Sequence, residues 1–566
     1  MKNALSLCAA IFLVMLLDLP TNSISAAQPN SARPFSLPFN EASGSATWMF
    51  EQFFGNTTEA YNFGKYWYAA GQGLHFGMDF EARCGTTVVA IADGVVDKID
   101  NPTFGALPHT IVIKHEALGY VSVYGHLRDR PTLLPGTPVR RGDPIAVTGD
   151  PDYNCESRPH LHLEIRSLDY RVAYNPAMLI NADWDMLYSL HQPEATAFAK
   201  ELRRPNRWQR ITDQPEVQFN GDAINRFAET FPPAYRFQAP ALTLPVAKAP
   251  VINVDAPLAM RRLTMPGCCT QPFWSVDSKS VLYLDADAER DTSIVRSITA
   301  SGTATIVEDA PPALTSPNGE YEVRRIGNTT TLIHLLDGKR FPLITRGANP
   351  QFSPNSSKLL WHVRPADDIP GEIAPRTEIW VADVPTGDAN LIRVQSGGSV
   401  RWLDDDRILI GESEVRSQRV QLSILTLSNG EINPLIKNDF MRSLSVSPGG
   451  RYLLYALILQ DAPDRNGLYL LETQPGAVPQ KLPFFGGWRW RDSTSLLYIP
   501  FGEAQMSLVE FNIETGAQHP LSLPKFQTIS IAVADWEISP DGRHIVYVDA
   551  RDGAIWLLTL PLREFF

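Results

Sequence analysis

The segment His160–Ile165, with the sequence HLHLEI, alternates polar and apolar side chains. In an extended strand successive side chains point to opposite faces, so the two histidines and the glutamate share one face. The segment His75–Phe80, HFGMDF, has the same alternation, with His75, Gly77 and Asp79 on one face. Both patterns predict strands of a sheet with an apolar core on one side and a row of polar side chains on the other.

The sequence around these segments predicts a compact, mostly β domain at about residues 28–180. Short β-rich runs alternate there with Gly and Pro turns, at Thr87–Ala92, Val95–Ile99, Thr110–Lys114, Val121–Tyr124 and Leu161–Arg166. A connector is expected at about 181–257, because two helix-like pieces lie there among Pro and Gln residues, at Glu194–Arg203 and Asp222–Thr230.

The region 258–566 repeats a short turn signature that follows an apolar residue and precedes a β-rich run, as in Phe352–Asn355 and Ile538–Gly542. The repeats are anchored at residues 274, 315, 352, 402, 446, 490 and 538, so they recur every 37 to 50 residues. Such periods are typical of propeller blades, and the pattern resembles the TolB-like, WD-type repeat. We therefore expect a mainly β protein with a C-terminal β-propeller of about seven blades. Three of its histidines are scattered singly and are interpreted as structural: His334, His362 and His544.

Composition limits the classes of function. The chain has 566 residues, of which 44% are hydrophobic, which is ample for more than one core. Its formal net charge is -12 and it has no clustered basic run. Because phosphate contacts need clustered Lys and Arg, these features argue against a nucleic-acid partner.

The N-terminus has the pattern of an export signal. Lys2 precedes the apolar stretch Leu5–Leu17, and the small residues Ser25–Ala27 predict cleavage before Gln28. The apolar stretch is shorter than the roughly 20 residues that a membrane span needs, although an uncleaved anchor remains the alternative. We expect residues 1–27 to be removed, leaving a secreted or periplasmic protein of the cell envelope with no stable membrane span.

Five polar residues carry the predicted chemistry: His75, Asp79, His126, His160 and His162. Two imidazoles and one carboxylate suit a catalytic zinc ion whose fourth position stays open. From the residues alone, one zinc ion would be bound by His75, Asp79 and one histidine of the final pair. Gly77 leaves room between two ligands, and the two remaining histidines are available for proton transfer.

Residues from about Phe35 to Pro176 resemble the lysostaphin/LytM-type zinc metallopeptidases, which hydrolyse peptide cross-links of bacterial peptidoglycan. The matching motifs are His75–Phe80, Gly85–Ala90, Asp93–Val96, Tyr124–Leu127, Val139–Asp143, Pro159–Glu164 and Asn175–Pro176. The resemblance implies that His75, Asp79 and His162 bind the zinc ion. It also implies that His126 and His160 are catalytic, and it leaves open which of them is the general base.

Four cysteines remain after the expected signal cleavage, and they allow three pairings: Cys84, Cys155, Cys268 and Cys269. Cys84 follows Asp79 by five residues and Cys155 precedes His160 by five. This symmetry about the site favours a Cys84–Cys155 disulfide. Two free cysteines, or an additional metal ligand, are the alternatives.

Three functions are consistent with the sequence. The first is an exported zinc metalloendopeptidase that hydrolyses peptidoglycan peptides, with the propeller as a binding module for an unknown ligand. The second is a catalytically inactive LytM-type regulator of a cell-wall hydrolase, and the third is a propeller-centred interaction protein. All five polar positions are intact, which favours the enzyme.

Overall fold

The computed structural model describes residues 33–57, 60, 67–190, 199–201, 204–209, 214–224, 258–267, 269–287, 292–299, 304–308, 314–326, 329–346, 348–365, 376–522 and 528–561. The expected export signal, residues 1–27, and Cys268 lie outside these described residues. The chain is mainly β-strand, as the sequence predicts.

One antiparallel sheet of nine strands forms the framework of the first domain. The strands before the propeller are β1 (Trp48–Gln52), β2 (Met78–Ala82), β3 (Thr87–Val89), β4 (Gly94–Ile99), β5 (His109–His115), β6 (Tyr120–Leu127), β7 (Pro138–Val139), β8 (Pro144–Val147), β9 (His160–Ser167), β10 (Val172–Tyr174), β11 (Ala199–Glu201), β12 (Arg204–Gln209) and β13 (Val217–Gln218). The order across the sheet is β1-β2-β9-β6-β5-β4-β7, with β10 paired to both β9 and β13. Two short pairs stand apart from it, β3 with β8 and β11 with β12.

Helices are few and short among the described residues. The α-helices are α1 (Pro176–Leu179) and α2 (Trp184–Tyr188), and single 3-10 turns lie at Ala69–Gly71, Pro102–Phe104, Glu116–Leu118 and Pro463–Arg465. Asp183 begins α2, because its carboxylate accepts a hydrogen bond from the backbone N–H of Met186. No helix in the described part of the chain combines the length and the apolar character that crossing a membrane requires.

Strand alternation separates the two faces of the sheet as the sequence predicts. Met78 and Phe80 of β2 are fully buried in the core, as are the apolar residues of β9, Leu161, Leu163 and Ile165. The polar residues between them face the other way. Asp79 lies directly opposite His162, and Glu81 lies opposite His160. The pairing of β2 with β9 therefore brings together two motifs that are about 80 residues apart in sequence.

The expected helices of the connector are the part that the structure contradicts. Ala199–Glu201, within the first helix-like piece, is a strand that pairs with Arg204–Gln209. Asp222 to Ile224, the start of the second piece, has no regular structure, and the rest of that piece lies outside the described residues. Helix propensity over about ten residues is a weak preference that strand pairing overrides.

Seven four-stranded antiparallel sheets form the propeller, which confirms the predicted number of blades. Its strands are β14 (Ala259–Arg262), β15 (Cys269–Trp274), β16 (Ser280–Asp287), β17 (Thr292–Thr299), β18 (Ala304–Glu308), β19 (Leu314–Thr315), β20 (Tyr321–Ile326), β21 (Thr329–His334), β22 (Arg340–Leu343), β23 (Gln351–Phe352), β24 (Lys358–Val363), β25 (Arg376–Asp383), β26 (Ala389–Ser396), β27 (Ser399–Trp402), β28 (Arg407–Ser413), β29 (Arg419–Thr426), β30 (Ile432–Asp439), β31 (Met441–Val446), β32 (Tyr452–Leu457), β33 (Gly467–Glu472), β34 (Gln480–Lys481), β35 (Gly486–Asp492), β36 (Ser495–Pro500), β37 (Val509–Asn512), β38 (Gln518–Pro520), β39 (Ile531–Ile538), β40 (His544–Asp549) and β41 (Ile555–Thr559).

Each repeat anchor found in the sequence lies in the strand that begins a blade: β15, β19, β23, β27, β31, β35 and β39. Six blades use four consecutive strands. The seventh contains β39, β40 and β41, and β14 from the start of the propeller pairs with β41. The first and last strands of the propeller thus share one sheet.

The propeller packs directly against the first domain. Met186 of α2 belongs to an apolar cluster with Leu497 and Ile499 of β36, and Ala534 of β39 is buried in the core of the first domain. The backbone N–H of Val533 donates to Asp185 Oδ1 at 2.9 Å. Burial in this contact raises the pKa of Asp185 to about 6. Residues from 33 onward form one compact unit.

Candidate active site

The predicted metal ligands meet on the polar face of the sheet. Asp79 lies on β2 and His162 on β9, where they are cross-strand partners. His75 lies just before β2 and forms an isolated bridge with Gly55. One ligand atom from each of the three lies within 4.8 Å of the others. The structure therefore brings together the three residues that the resemblance implies.

The distances between donor atoms are short. His162 Nδ1 lies 2.8 Å from Asp79 Oδ1, and His75 Nε2 lies 3.3 Å from the same oxygen. The two histidine nitrogens, His75 Nε2 and His162 Nδ1, are 3.2 Å apart. All three side chains are buried. Two imidazole nitrogens and one carboxylate oxygen thus converge on one point.

The outer contacts fix which nitrogen of each imidazole faces that point. His75 Nδ1 donates to the carbonyl oxygen of Phe53 at 2.6 Å, which leaves Nε2 as the inward-facing atom. His162 Nε2 lies 3.4 Å from Glu164 Oε1, which leaves Nδ1 inward. Arg166 Nε in turn donates to Glu164 Oε2. The sequence analysis assigns no role to Glu164, although its place on the polar face of β9 was the available signal for this contact.

The electrostatics of the donor set favour a cation. Burial would raise the pKa of Asp79, but the charges of His75 and His160 and the hydrogen bond from His162 hold it well below its usual value. Burial would lower the pKa of His162, but hydrogen bonds to Asp79 and Glu164 raise it to about 9. The two carboxylates that favour a proton on His162 favour a divalent metal ion for the same reason.

The local packing fits a metal ion held by these residues. A Cβ added at Gly77 would lie 2.5 Å from His162 Cε1 and 2.8 Å from the carbonyl oxygen of Leu163. Any larger residue would displace the ligand, which is the physical reason for glycine between His75 and Asp79. The donor set of two nitrogens and one oxygen suits zinc in a three-ligand site.

His126 and His160 lie beside the metal ligands. Their ring centroids are 4.7 Å apart, and the His126 centroid is 5.8 Å from that of His162. His126 Nδ1 donates to the carbonyl oxygen of Leu107 at 2.5 Å, and His160 Nδ1 donates to that of Arg158 at 2.7 Å. Both rings therefore present Nε2 as the free nitrogen, and His160 Nε2 lies 3.9 Å from Asp79 Oδ1.

Burial shifts the pKa of both of these histidines downwards. Burial lowers the pKa of His160 below its usual value. Burial and the charges of His160 and His162 lower the pKa of His126 further. His126 also has a positive φ of 55° at the end of β6, a backbone conformation that side chains other than glycine rarely adopt. A strained residue beside a metal-binding cluster is typical of an active site.

The other histidines of this domain have structural contacts. His115 Nδ1 lies 2.8 Å from the carbonyl oxygen of Asp93, and its Nε2 lies 2.8 Å from Ser122 Oγ. His109 Nδ1 lies 3.0 Å from Asp100 Oδ2. These hydrogen bonds hold both rings to residues outside the metal-ligand cluster.

The Cys84–Cys155 disulfide predicted from the sequence is present. Cys84 lies two residues beyond the end of β2, and Cys155 lies in the segment that leads into β9. The bridge therefore ties together the ends of the two strands that carry Asp79 and His162. Both sulfur atoms are used in the bridge, which argues against the two alternatives for this pair, free cysteines and an additional metal ligand.

Comparison with known proteins places this domain in a family. Residues 73–176 match Peptidase family M23. Over 90 residues, 16% of its length, the chain is 36% identical to a protein of Haemophilus influenzae described as an uncharacterized metalloprotease. The chain spans 18% of the length of that relative.

Several solved structures are similar to a part of the chain that is about as long as the propeller. One is an oligogalacturonate lyase in complex with manganese, which is 14% identical with a TM-score of 0.41. The aligned region spans 57% of this chain and 99% of the lyase chain. The β-propeller domain of the Trilobed protease from Pyrococcus furiosus is 14% identical with a TM-score of 0.35. The aligned region spans 52% of this chain and 94% of that domain. TolB from Acinetobacter baumannii is 14% identical with a TM-score of 0.28, and the aligned region spans 52% of this chain and 80% of TolB. At these values we base no functional conclusion on them. The chain thus combines a segment, residues 73–176, that matches Peptidase family M23 with a seven-bladed β-propeller.

Proposed function

We propose that the protein is an exported zinc metalloendopeptidase that hydrolyses peptide cross-links of bacterial peptidoglycan. The observation that carries the proposal is the cluster of His75, Asp79 and His162, whose ligand atoms lie within 4.8 Å of one another beside the rings of His126 and His160. A bound zinc ion supplies Lewis-acid chemistry, which acidifies a water molecule and polarises a peptide carbonyl.

His160 is well placed to accept a proton. Its Nε2 carries no proton while Nδ1 donates to the carbonyl oxygen of Arg158, and it faces the ligand carboxylate of Asp79. Its lowered pKa keeps it able to take up a proton at neutral pH. His126 Nδ1 likewise donates to the carbonyl oxygen of Leu107, so its Nε2 is a second proton acceptor beside the His160 ring.

Two further observations support an extracytoplasmic substrate. The Cys84–Cys155 disulfide is stable in an oxidising compartment, as in secreted or periplasmic proteins. The N-terminal sequence has the pattern of an export signal. Peptidoglycan peptides lie in that compartment and are the substrates that the LytM resemblance implies.

The test is hydrolysis of purified sacculi and of soluble cross-linked peptides, measured as newly released amino groups and by mass spectrometry of the products. We expect zinc-dependent release that chelation abolishes and added zinc restores. His162→Ala should remove activity, whereas His334→Ala, a propeller histidine paired with Asp337, should leave it unchanged. A wild-type protein that binds zinc and releases no amino groups would contradict the proposal and favour a regulatory role. Cleavage of protein substrates alone would contradict the peptidoglycan assignment.

A further inference from the structure

A network of side chains crosses from the propeller to the polar face of the peptidase sheet. Arg442, on β31 of the fifth blade, donates through Nη2 to Glu81 Oε1. The same Nη2 donates to Gln418 Oε1 at 2.9 Å. Gln418 lies just before β29 of the fourth blade, and its carbonyl oxygen accepts from the backbone N–H of Phe440 at 3.1 Å. The junction of two blades thus holds both Arg442 and Gln418.

Glu81 connects this network to the candidate active site. It lies on β2 two residues after Asp79, so both side chains are on the same face of the sheet. Its cross-strand partner on β9 is His160. The Glu81 side chain is only 8% exposed, and Arg442 is its ion-pair partner among the described residues. Arg442 therefore contacts the strand position next to His160.

Gln418 holds the chain segment that leads into β9. Its backbone N–H donates to the carbonyl oxygen of Glu156 at 2.8 Å, and its Nε2 donates to that of Ser157. The next residue, Arg158, provides the carbonyl oxygen that accepts from His160 Nδ1 at 2.7 Å. The propeller therefore holds the segment on which the orientation of the His160 ring depends.

We propose that Gln418 and Arg442 are positioning residues for His160, so that the propeller is a structural part of the peptidase active site. The inference rests on the proposed function for the role of His160 in catalysis. Gln418 holds the carbonyl oxygens of Glu156 and Ser157, directly before the Arg158 carbonyl that orients the ring, and Arg442 holds the neighbouring position on β2. Misplacement of a reacting group by about 1 Å costs up to about 100-fold in rate, so contacts of this kind are sufficient to control kcat.

The competing explanation is that the peptidase domain holds this segment without help. Asp150 accepts hydrogen bonds from the backbone N–H groups of Ser157 and Arg158, both at 3.0 Å, and the Cys84–Cys155 disulfide anchors the same segment. If these contacts suffice, loss of the propeller contacts leaves His160 unchanged. The two explanations therefore predict different results for the same substitutions.

The first experiment compares kcat and KM of the full-length zinc enzyme on a soluble cross-linked peptide. We expect Gln418→Ala and Arg442→Gln each to lower kcat by about 10- to 100-fold, with KM changed less than threefold and zinc content unchanged. Arg442→Lys should recover most of the loss, because it keeps a cation opposite Glu81. The matched control is Asp461→Asn, which removes another contact between the domains, the ion pair with Arg83, and should keep wild-type kcat.

A double variant separates positioning from charge compensation. Arg442→Gln leaves Glu81 without its ion-pair partner, whereas Glu81→Gln/Arg442→Gln removes that carboxylate as well and is less prone to misfold. If Arg442 acts by positioning, kcat of the double variant stays low. Wild-type kcat in the double variant would overturn the role of Arg442, and wild-type kcat in Gln418→Ala would overturn the role of Gln418.

The second experiment needs no activity. Hydrogen exchange measured by mass spectrometry over residues 150–160 of the zinc-loaded proteins reports on the segment directly. We expect faster exchange in Gln418→Ala and in Arg442→Gln, and wild-type exchange in Asp461→Asn. Unchanged exchange in both variants would overturn the proposal. If the wild-type protein proves inactive, the proposed function fails, and this measurement still decides whether the propeller positions the segment.

Discussion

The two regions of the molecule each contain a histidine–aspartate pair of almost the same length. In the peptidase sheet, His162 Nδ1 lies 2.8 Å from Asp79 Oδ1. In the propeller, His334 Nδ1 lies 2.7 Å from Asp337 Oδ1. The first pair joins residues from two strands and is buried, whereas the second joins residues three apart in one turn, and the Asp337 side chain is 39% exposed. The pair distance alone therefore does not distinguish a metal site from a turn.

The difference lies in what surrounds each pair. His75 adds a third donor atom to the pair in the peptidase sheet, and Glu164 lies beside the outer nitrogen of His162, Nε2. Three propeller histidines face apolar or neutral partners across the sheet: His334 opposite Tyr321, His362 opposite Ile379 and His544 opposite Thr559. Burial lowers the pKa of His362 to about 4, with a smaller effect from Arg401, so this histidine stays neutral. A metal site needs several converging donors, and only tertiary pairing of strands supplies them here.

The largest difference in zinc content and activity is expected between variants that lack the aspartate of one pair or of the other. Asp79→Ala should remove stoichiometric zinc and lower activity by at least about 1,000-fold, since a catalytic metal contributes several kcal/mol and each 1.36 kcal/mol is tenfold in rate. Asp337→Ala should change neither. Metal analysis after gel filtration and the peptide hydrolysis assay measure both effects. Retained zinc in Asp79→Ala would show that the cluster is not the metal site.

The second contrast is between ligands and proton-transfer residues within the peptidase sheet. His160→Ala should lower kcat by about 100- to 10,000-fold while the zinc content stays at one ion per chain, because His160 acts on protons and does not hold the metal. His126→Ala should behave in the same way. Loss of zinc from His160→Ala would move this residue into the ligand set and contradict the assignment implied by the resemblance.

The sequence predicted what depends on local patterns. Alternation along His75–Phe80 and His160–Ile165 was sufficient to assign both faces of the sheet, because the side-chain period of a strand is two. The repeat anchors marked the first strand of every blade, because each blade begins with the same turn chemistry. The connector prediction failed at Ala199–Glu201, where pairing with a neighbouring strand overrides helix propensity.

Such local patterns do not predict contacts between residues that are far apart in sequence. Glu81 and Arg442 are 361 residues apart, and neither lies in a motif that marks it as a partner of the other. Glu164 was visible as a polar residue on the correct face, but its role depends on the 3.4 Å distance to His162. Distances of this kind follow from the packed structure, because many sequences with the same alternation would place the glutamate differently.

A smaller difference, in zinc affinity, is expected between variants of two buried glutamate–arginine pairs. Glu164→Gln should weaken zinc binding by about 10- to 100-fold, because a carboxylate behind a ligand histidine fixes its orientation and raises its basicity. The matched variant is Glu510→Gln, at the propeller carboxylate that pairs with Arg491 at 2.9 Å, and it should leave zinc affinity unchanged. Competition with a chromophoric chelator measures both affinities. Equal affinities for wild type and Glu164→Gln would exclude the proposed support of His162.

The smallest effect is expected at the contact between the two regions, where burial raises the pKa of Asp185 from 3.8 to about 6. Because the folded-state pKa is the higher one, the folded protein holds this proton more tightly than the unfolded chain does. The stabilising contribution is therefore complete below about pH 4 and is lost as the pH rises through 6. Asp185→Asn keeps an acceptor for the Val533 N–H and carries no charge.

Asp185→Asn should consequently be more stable than wild type by on the order of 1–2 kcal/mol at pH 7.5, and the difference should vanish near pH 4. Urea unfolding midpoints at the two pH values measure this, with Asp183→Asn in the same helix as the control. Asp183 caps α2, asparagine caps a helix about as well as aspartate, and the charge of Asp183 adds less than burial to the raised pKa of Asp185, so its variant should change stability by no more than a few tenths of a kcal/mol at both pH values. A gain at pH 7.5 that persists unchanged at pH 4 would mean that packing of the amide, and not the buried charge, sets the stability of this contact.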